Sequence, residues 1–324
     1  MLRPHPLPLV ASFIVVVLLL AACSDGADDS VGTTLASTPT TAAATTTTTT
    51  TTVEDQAVAV IEKDLVYATW EEGSLMLNMH APAKPAGAPI VIYLPGRGQE
   101  TAADPWMVAG LVDEGAFVFV VRYAAFRSGP EEILADRGAD AGAQAESVAC
   151  AINYARAQAS NFGNNDPVVV LTGDSNGSGL GAHAALFGAT LEARWDEYAA
   201  EGGPPRQVEC EVTDGSTHVD ALVGRGGNYD VLVPIYDGSY GRAYQQERDP
   251  ELWEFLSSSI GVNPDLKVRL IHGTSDWIPV EQAAEFAATL TDAGYDAQFT
   301  TFDGGHWSPP TELSLSTIME LLGP

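Results

Sequence analysis

Eight short apolar runs separated by longer stretches of helical periodicity constrain this 324-residue chain more than any other feature. The runs are 64–69 (DLVYAT), 74–80 (SLMLNMH), 89–94 (PIVIYL), 116–121 (AFVFVV), 167–172 (PVVVLT), 219–223 (VDALV), 267–271 (KVRLI) and 296–301 (DAQFTT). The central ones show no polar alternation, as strands covered on both faces require. Helical patterns occupy 104–114, 131–160, 178–198, 279–293 and 311–322, with Pro279 and Gly294 as start and stop signals around the fourth. The alternation predicts an α/β fold: a mostly parallel central sheet of about eight strands with helices on both faces. In such sheets chemistry is done at the carboxyl ends of the strands.

The N-terminal stretch reads as an address. Leu9 to Ala22 is a run of 14 residues, apolar except for one serine, too short for the roughly 20 residues of a membrane span and suited to a signal-peptide core. It ends in Leu20-Ala21-Ala22-Cys23, which resembles the lipobox of bacterial lipoproteins. That resemblance implies a signal peptide at 1–22, a lipidated Cys23 and a domain held at the membrane outside the cytoplasm; plain secretion, with Cys23 a bystander, is the alternative. Residues 33–52 contain 13 Thr in 20 positions, too little apolar bulk to offset ordering entropy, so 23–53 is expected to be a disordered linker, bare or O-glycosylated. The folded domain is then 54–324.

Two Cys remain, Cys150 and Cys210. In an exported chain an even pair predicts a disulfide, with two separate buried thiols as the alternative. Three Cys in all are too few for a Cys-based zinc or iron–sulfur site. The formal net charge of −28 opposes binding to nucleic acid, anionic lipid and strongly anionic substrates.

Three strand ends carry chemistry-bearing residues. The strand 167–172 runs into Gly173-Asp174-Ser175-Asn176-Gly177, a G-x-S-x-G pattern followed by a helix of small residues. A serine on such a strand-to-helix turn projects its hydroxyl above the sheet, and the flanking glycines permit the backbone crowding. The strand 267–271 ends in His272-Gly273-Thr274-Ser275-Asp276, where Asp276 could orient a base or cap the next helix. The last strand leads to Gly304-Gly305-His306, a glycine-rich loop with room for the ring to turn. Ser175, Asp276 and His306 follow one another in the order expected of a nucleophile elbow on this kind of sheet.

With these motifs the chain resembles the α/β-hydrolase superfamily, in its bacterial esterase/lipase branch. The likeness spans roughly 60–324 and rests on "LVYAT…LMLNMHAP…PIVIYLPGRG", "LTGDSNGSG", "LIHGTSDWIPVEQAAEFAATLTDAGYD" and "GGHW". It implies that Ser175 is the nucleophile, His306 the general base and acid, and Asp276 the residue that holds the imidazolium. It also implies an oxyanion hole made by the backbone N–H of Asn176 and of Arg97, although Pro95-Gly96-Arg97 stands where His-Gly-Gly is usual. The implied reaction is hydrolysis of neutral carboxylic esters without metal or cofactor; no two His stand at metal-ligand spacing. A peptidase on the same fold and a non-catalytic surface binding protein are the other readings. His80, His183, His218 and His272 read as structural. The 228–263 insertion is expected to form a small cap, its Tyr229, Tyr236, Tyr240, Tyr244, Trp253 and Phe255 either lining a pocket or filling core. The sequence does not specify an oligomeric state.

Overall fold

Alternate side chains of the inner strands enter two separate apolar layers, which is why those strands lack polar alternation. The computed structural model describes residues 60–71, 73–96, 103–124, 137–203, 205–229, 251, 254–255, 258–306 and 309–323. The chain divides into Met1–Val53 and Glu54–Pro324, and all described residues belong to the second unit. The expected leader, Cys23, the Thr-rich tract, Arg97 and most of 228–263 lie outside the described residues.

The strands are β1 (Val60–Trp70), β2 (Gly73–Ala81), β3 (Ile90–Leu94), β4 (Phe117–Val121), β5 (Val169–Asp174), β6 (Glu209–Cys210), β7 (Ala221–Arg225), β8 (Lys267–Gly273) and β9 (Asp296–Phe302). They form one sheet in the order β6-β1-β2-β4-β3-β5-β7-β8-β9. From β4 to β9 every neighbouring pair is parallel. The β6–β1, β1–β2 and β2–β4 pairs are antiparallel. The described helices are α1 (Pro105–Asp113), α2 (Arg137–Asn161), α3 (Asn176–Phe187), α4 (Leu191–Ala200), α5 (Val280–Asp292) and α6 (Thr311–Leu322).

One layer joins Ile90, Ile92, Phe117, Phe119 and Leu171 to Ile152 of α2, Leu186 of α3 and Phe286 of α5. The other joins Val91, Tyr93, Val118, Val170 and Val223 to Met107 and Leu111 of α1 and Ile318 of α6. Both faces of the parallel part are therefore covered. Toward the antiparallel edge β2 reverts to alternation, with Leu75, Leu77, Met79 and Ala81 buried between more exposed neighbours. One covered face suffices there.

The structure departs from expectation in two elements. Among the described residues the sheet has nine strands rather than about eight; the extra one, β6, is two residues long and pairs Ala68 with Cys210 and Thr69 with Glu209. So short a strand leaves no periodicity to detect. It is held from outside: Cys150 of α2 is disulfide-bonded to Cys210. The Glu146 carboxylate, also on α2, accepts from the N–H groups of Gln207 and Val208 at 2.8 and 3.0 Å. The helix expected over 178–198 is α3 and α4 joined by a single 3-10 turn, Gly188–Thr190. Gly188 has φ +52, a left-handed conformation that a side chain disfavours, and it ends the helix there.

The disulfide spans a sequence separation of 60. Chain-entropy reasoning assigns such a closure about 4 kcal/mol. Cys150→Ser is therefore expected to lower the melting temperature without changing turnover per folded molecule. A calorimetric scan with and without reductant checks this; equal melting points would show that the bond adds no stability.

Candidate active site

The sheet order places β5, β7, β8 and β9 side by side, so the residues following β5, β8 and β9 emerge at one carboxyl edge. Ser175 lies between β5 and α3 with φ 51 and ψ −119. A non-glycine residue held there stores roughly 1–3 kcal/mol of strain and persists only where its surroundings over-determine it. They do so here. The Ser175 N–H donates to Arg225 O at 3.0 Å, and Ser175 O accepts from Asn228 N at 3.2 Å. Two residues on, a Cβ at Gly177 would lie 2.2 Å from Leu94 O, so only glycine lets the turn close against the end of β3.

Asp174, the residue before the serine, is anchored from below. The Tyr93 hydroxyl donates to its Oδ2. Arg225 Nε lies 3.2 Å from its Oδ1, and the Arg225 side chain is only 4% exposed. Burial, and then the Asp174 charge, push the Tyr93 phenol well above its ordinary range, so it stays a donor. Sequence reasoning missed this triangle. Its signals were a tyrosine inside IVIYL and an arginine closing the apolar run ALVGR.

On the neighbouring strands, His306 Nδ1 lies 2.9 Å from Asp276 Oδ1 and 2.9 Å from Oδ2. An ionised carboxylate only accepts, so Nδ1 carries the proton and Nε2 is the nitrogen of the neutral ring that can take one. The Asp276 side chain is 1% exposed and that of His306 is 2% exposed. Asp276 Oδ1 also accepts from Ile278 N at 2.8 Å. His272 is fully buried, and its Nε2 lies 3.0 Å from Ile278 O. A carbonyl oxygen cannot donate, so His272 bears its proton on Nε2 and holds the turn that presents Asp276.

The loop after β7 is the wall shared by serine and pair. Its Asn228 bonds Ser175, and a Cβ at Gly226 would stand 3.3 Å from Asp276 Oδ2 and 3.5 Å from His306 Nδ1. Asn176 opens α3, where the first backbone N–H groups have no intrahelical acceptor and the helix dipole favours negative charge. Leu94 O and Pro95 O pack against Gly177, which brings the start of the 95–98 loop beside the elbow. Arg97 itself lies outside the described residues. Trp277, beside Asp276 in sequence, is 50% exposed, with its ring centroid 4.6 Å from that of His306.

The remaining histidines stand apart from this pair. Burial lowers the pKa of His183 to about 3, so it is neutral, and it packs on Phe187. His80 is pushed down by burial as well. His218 faces Asp220 at 3.5 Å. The described aromatics of the 228–263 insertion fill core: Tyr229 stacks on Phe286 and shares a 2.7 Å hydrogen bond with Ser178. Phe255 packs among Phe187, Trp195 and Tyr198. Among the described residues no three His, Cys, Asp or Glu side chains gather as metal ligands.

No protein family model matches the chain, and no curated protein matches it in sequence. Solved structures do. A truncated form of a carbohydrate esterase from gut microbiota is 21% identical with a TM-score of 0.59, covering 83% of this chain and 98% of its own. Esterase 2 of Thermogutta terrifontis, phosphoramylated by tabun, is 17% identical with a TM-score of 0.56, covering 82% of this chain and 93% of its own. A bifunctional GH43-CE protein of Bacteroides eggerthii is 21% identical with a TM-score of 0.57, covering 81% of this chain and 35% of its own. At these identities the likeness is one of fold, and the chain has the mixed α/β fold that these esterases share.

Proposed function

We propose that this chain is a serine carboxylesterase acting on neutral carboxylic esters, held outside the cytoplasm by a lipid anchor on Cys23. The observation that carries the reading is the Nδ1 hydrogen bond of His306 to Asp276, set across one loop from a serine on a strained strand-to-helix turn. A serine hydroxyl is a weak nucleophile until an adjacent imidazole takes its proton. In the proposed cycle Ser175 Oγ attacks the ester carbonyl while its proton passes to His306 Nε2. The resulting oxyanion is held by the backbone N–H groups of Asn176 and Arg97. The C–O bond then breaks, His306 gives its proton to the leaving alcohol, and an acyl-Ser175 ester remains. Water, deprotonated by the same imidazole, attacks that ester; the acyl C–Oγ bond breaks, His306 returns the proton to Ser175 Oγ, and the acid is released. Asp276 keeps the ring in the required tautomer throughout. Each good oxyanion donor is worth roughly 3–4 kcal/mol to the transition state, so the alignment of the 95–98 loop governs how fast the enzyme is. The fold neighbours named above are esterases, which supports this chemistry.

The test is fluorophosphonate labelling with peptide mapping, alongside turnover of p-nitrophenyl esters from acetate to palmitate. The expected result is a label on Ser175 and hydrolysis that is best for short acyl chains. A folded protein that neither labels nor turns over any ester would overturn the reading, and labelling without ester turnover would favour a peptidase.

A further inference from the structure

Among the described residues, seven large hydrophobic side chains are exposed, and Trp277 is the one whose ring contact is with His306. Its neighbours in sequence are firmly held. Asp276 bonds His306, and Ile278 is fully buried with its N–H on Asp276. The preceding turn is tied to the loop after β9 by Thr274 N to Phe302 O and Ser275 N to Gly304 O, both at 2.9 Å. The indole is thus carried on a rigid backbone, packed on one side against the imidazole and half open to water on the other. A large apolar side chain left half in water on such a support gains little from burial. A flat group seated on it would recover that loss.

We infer that Trp277 is the platform for the alcohol half of the ester, and that this half is a pyranose ring. The inference rests on the esterase reading above and names the substrate class of that same site. The alcohol half is implicated because His306 is the group that returns a proton to the leaving oxygen, so a ring packed on His306 borders the departing alcohol. A sugar is implicated by the polar groups carried on the same backbone. Thr274 and Ser275 on the turn that bears Trp277, and Asp303 on the loop bonded to that turn, are exposed and offer hydroxyl and carboxylate partners at this edge of the site. A pyranose has the matching character, with C–H groups on its faces and hydroxyls at its edge. The net charge of −28 agrees with a neutral polyol rather than an acidic one.

The experiment compares three acetates on the full chain and on its Trp277→Ala and Trp277→Phe variants: a methyl tri-O-acetyl-xylopyranoside, phenyl acetate and ethyl acetate. The acyl group is constant, so differences report the alcohol half. The native chain is expected to favour the xyloside over ethyl acetate. Trp277→Ala is expected to lower kcat/KM for the xyloside about tenfold, chiefly through KM, as loss of one stacked ring would. Ethyl acetate should lose several-fold less than the xyloside, its own loss measuring the effect of uncovering His306, and Trp277→Phe should recover most of the difference. Equal losses on all three acetates would overturn the inference and make Trp277 only a cover for His306. A loss on phenyl acetate as large as that on the xyloside would replace the sugar with an aryl group. If Trp277→Ala fails to fold, the same contrast is read from Trp277→Leu, which keeps apolar bulk but offers no flat face. A native chain that hydrolyses esters with no preference for the xyloside refutes the inference alone; one that hydrolyses none removes the esterase reading with it.

Discussion

Ser175→Ala is expected to lower kcat/KM for p-nitrophenyl acetate by about 10⁵- to 10⁶-fold, the scale of removing a nucleophile that acts as one unit with its base. The substitution is unusually clean at this position. The strained φ of 51 is enforced by backbone contacts, among them Ser175 N to Arg225 O and Asn228 N to Ser175 O. None of these uses the hydroxyl. Alanine keeps the Cβ and so meets the same backbone strain as serine, whereas glycine would relieve it and alter the elbow. The melting temperature should therefore move by only a few degrees while turnover and fluorophosphonate labelling vanish together. Retention of more than about a hundredth of the activity in the folded variant would move the nucleophile elsewhere.

Much of this site is legible from residues alone because each part leaves a local trace. Continuous apolar runs such as FVFVV and IVIYL mark strands covered on both faces. The glycine at 177 marks the only backbone that fits under Leu94 O, and Pro279 does precede α5. What stays hidden is made by contacts distant in sequence. Tyr93, Asp174 and Arg225 meet only because β3, β5 and β7 are neighbours. Strand β6 exists because β1, Glu146 and a disulfide hold it. Tyr229 and Phe255 could not be assigned to core or pocket beforehand, since both environments favour the same aromatic residues. The alternative role for Asp276, capping the following helix, is likewise decided in three dimensions. The residue capping α5 is Pro279, with no side-chain hydrogen bond, and Asp276 instead bonds Ile278 N and His306.

That geometry sets the second large effect: Asp276→Asn is expected to lower kcat by about 10⁴-fold while leaving the fold intact. The reasoning runs through the orientation of the new amide. Ile278 N–H donates to the position of Oδ1 at 2.8 Å, so the asparagine must place its carbonyl oxygen there. Its NH₂ group then occupies the position of Oδ2, which lies 2.9 Å from His306 Nδ1. The oxygen at the Oδ1 position is also 2.9 Å from Nδ1, but an NH₂ donor at the same distance opposes a proton there and favours one on Nε2, and the neutral amide brings no charge to hold an imidazolium. His306 would then present a donor where the proposed attack by Ser175 needs an acceptor. Flipping the amide does not rescue the site, because two donors would then meet at Ile278. His272, whose Nε2 lies 3.5 Å from Asp276 Oδ2, holds its Nε2 proton toward Ile278 O and supplies no acceptor for the new amide. Because fluorophosphonate attack needs the same general base, labelling of Ser175 should slow in parallel with kcat. A variant that labels and turns over within about tenfold of the native chain would mean that Asp276 shapes its turn but does not set the tautomer of His306.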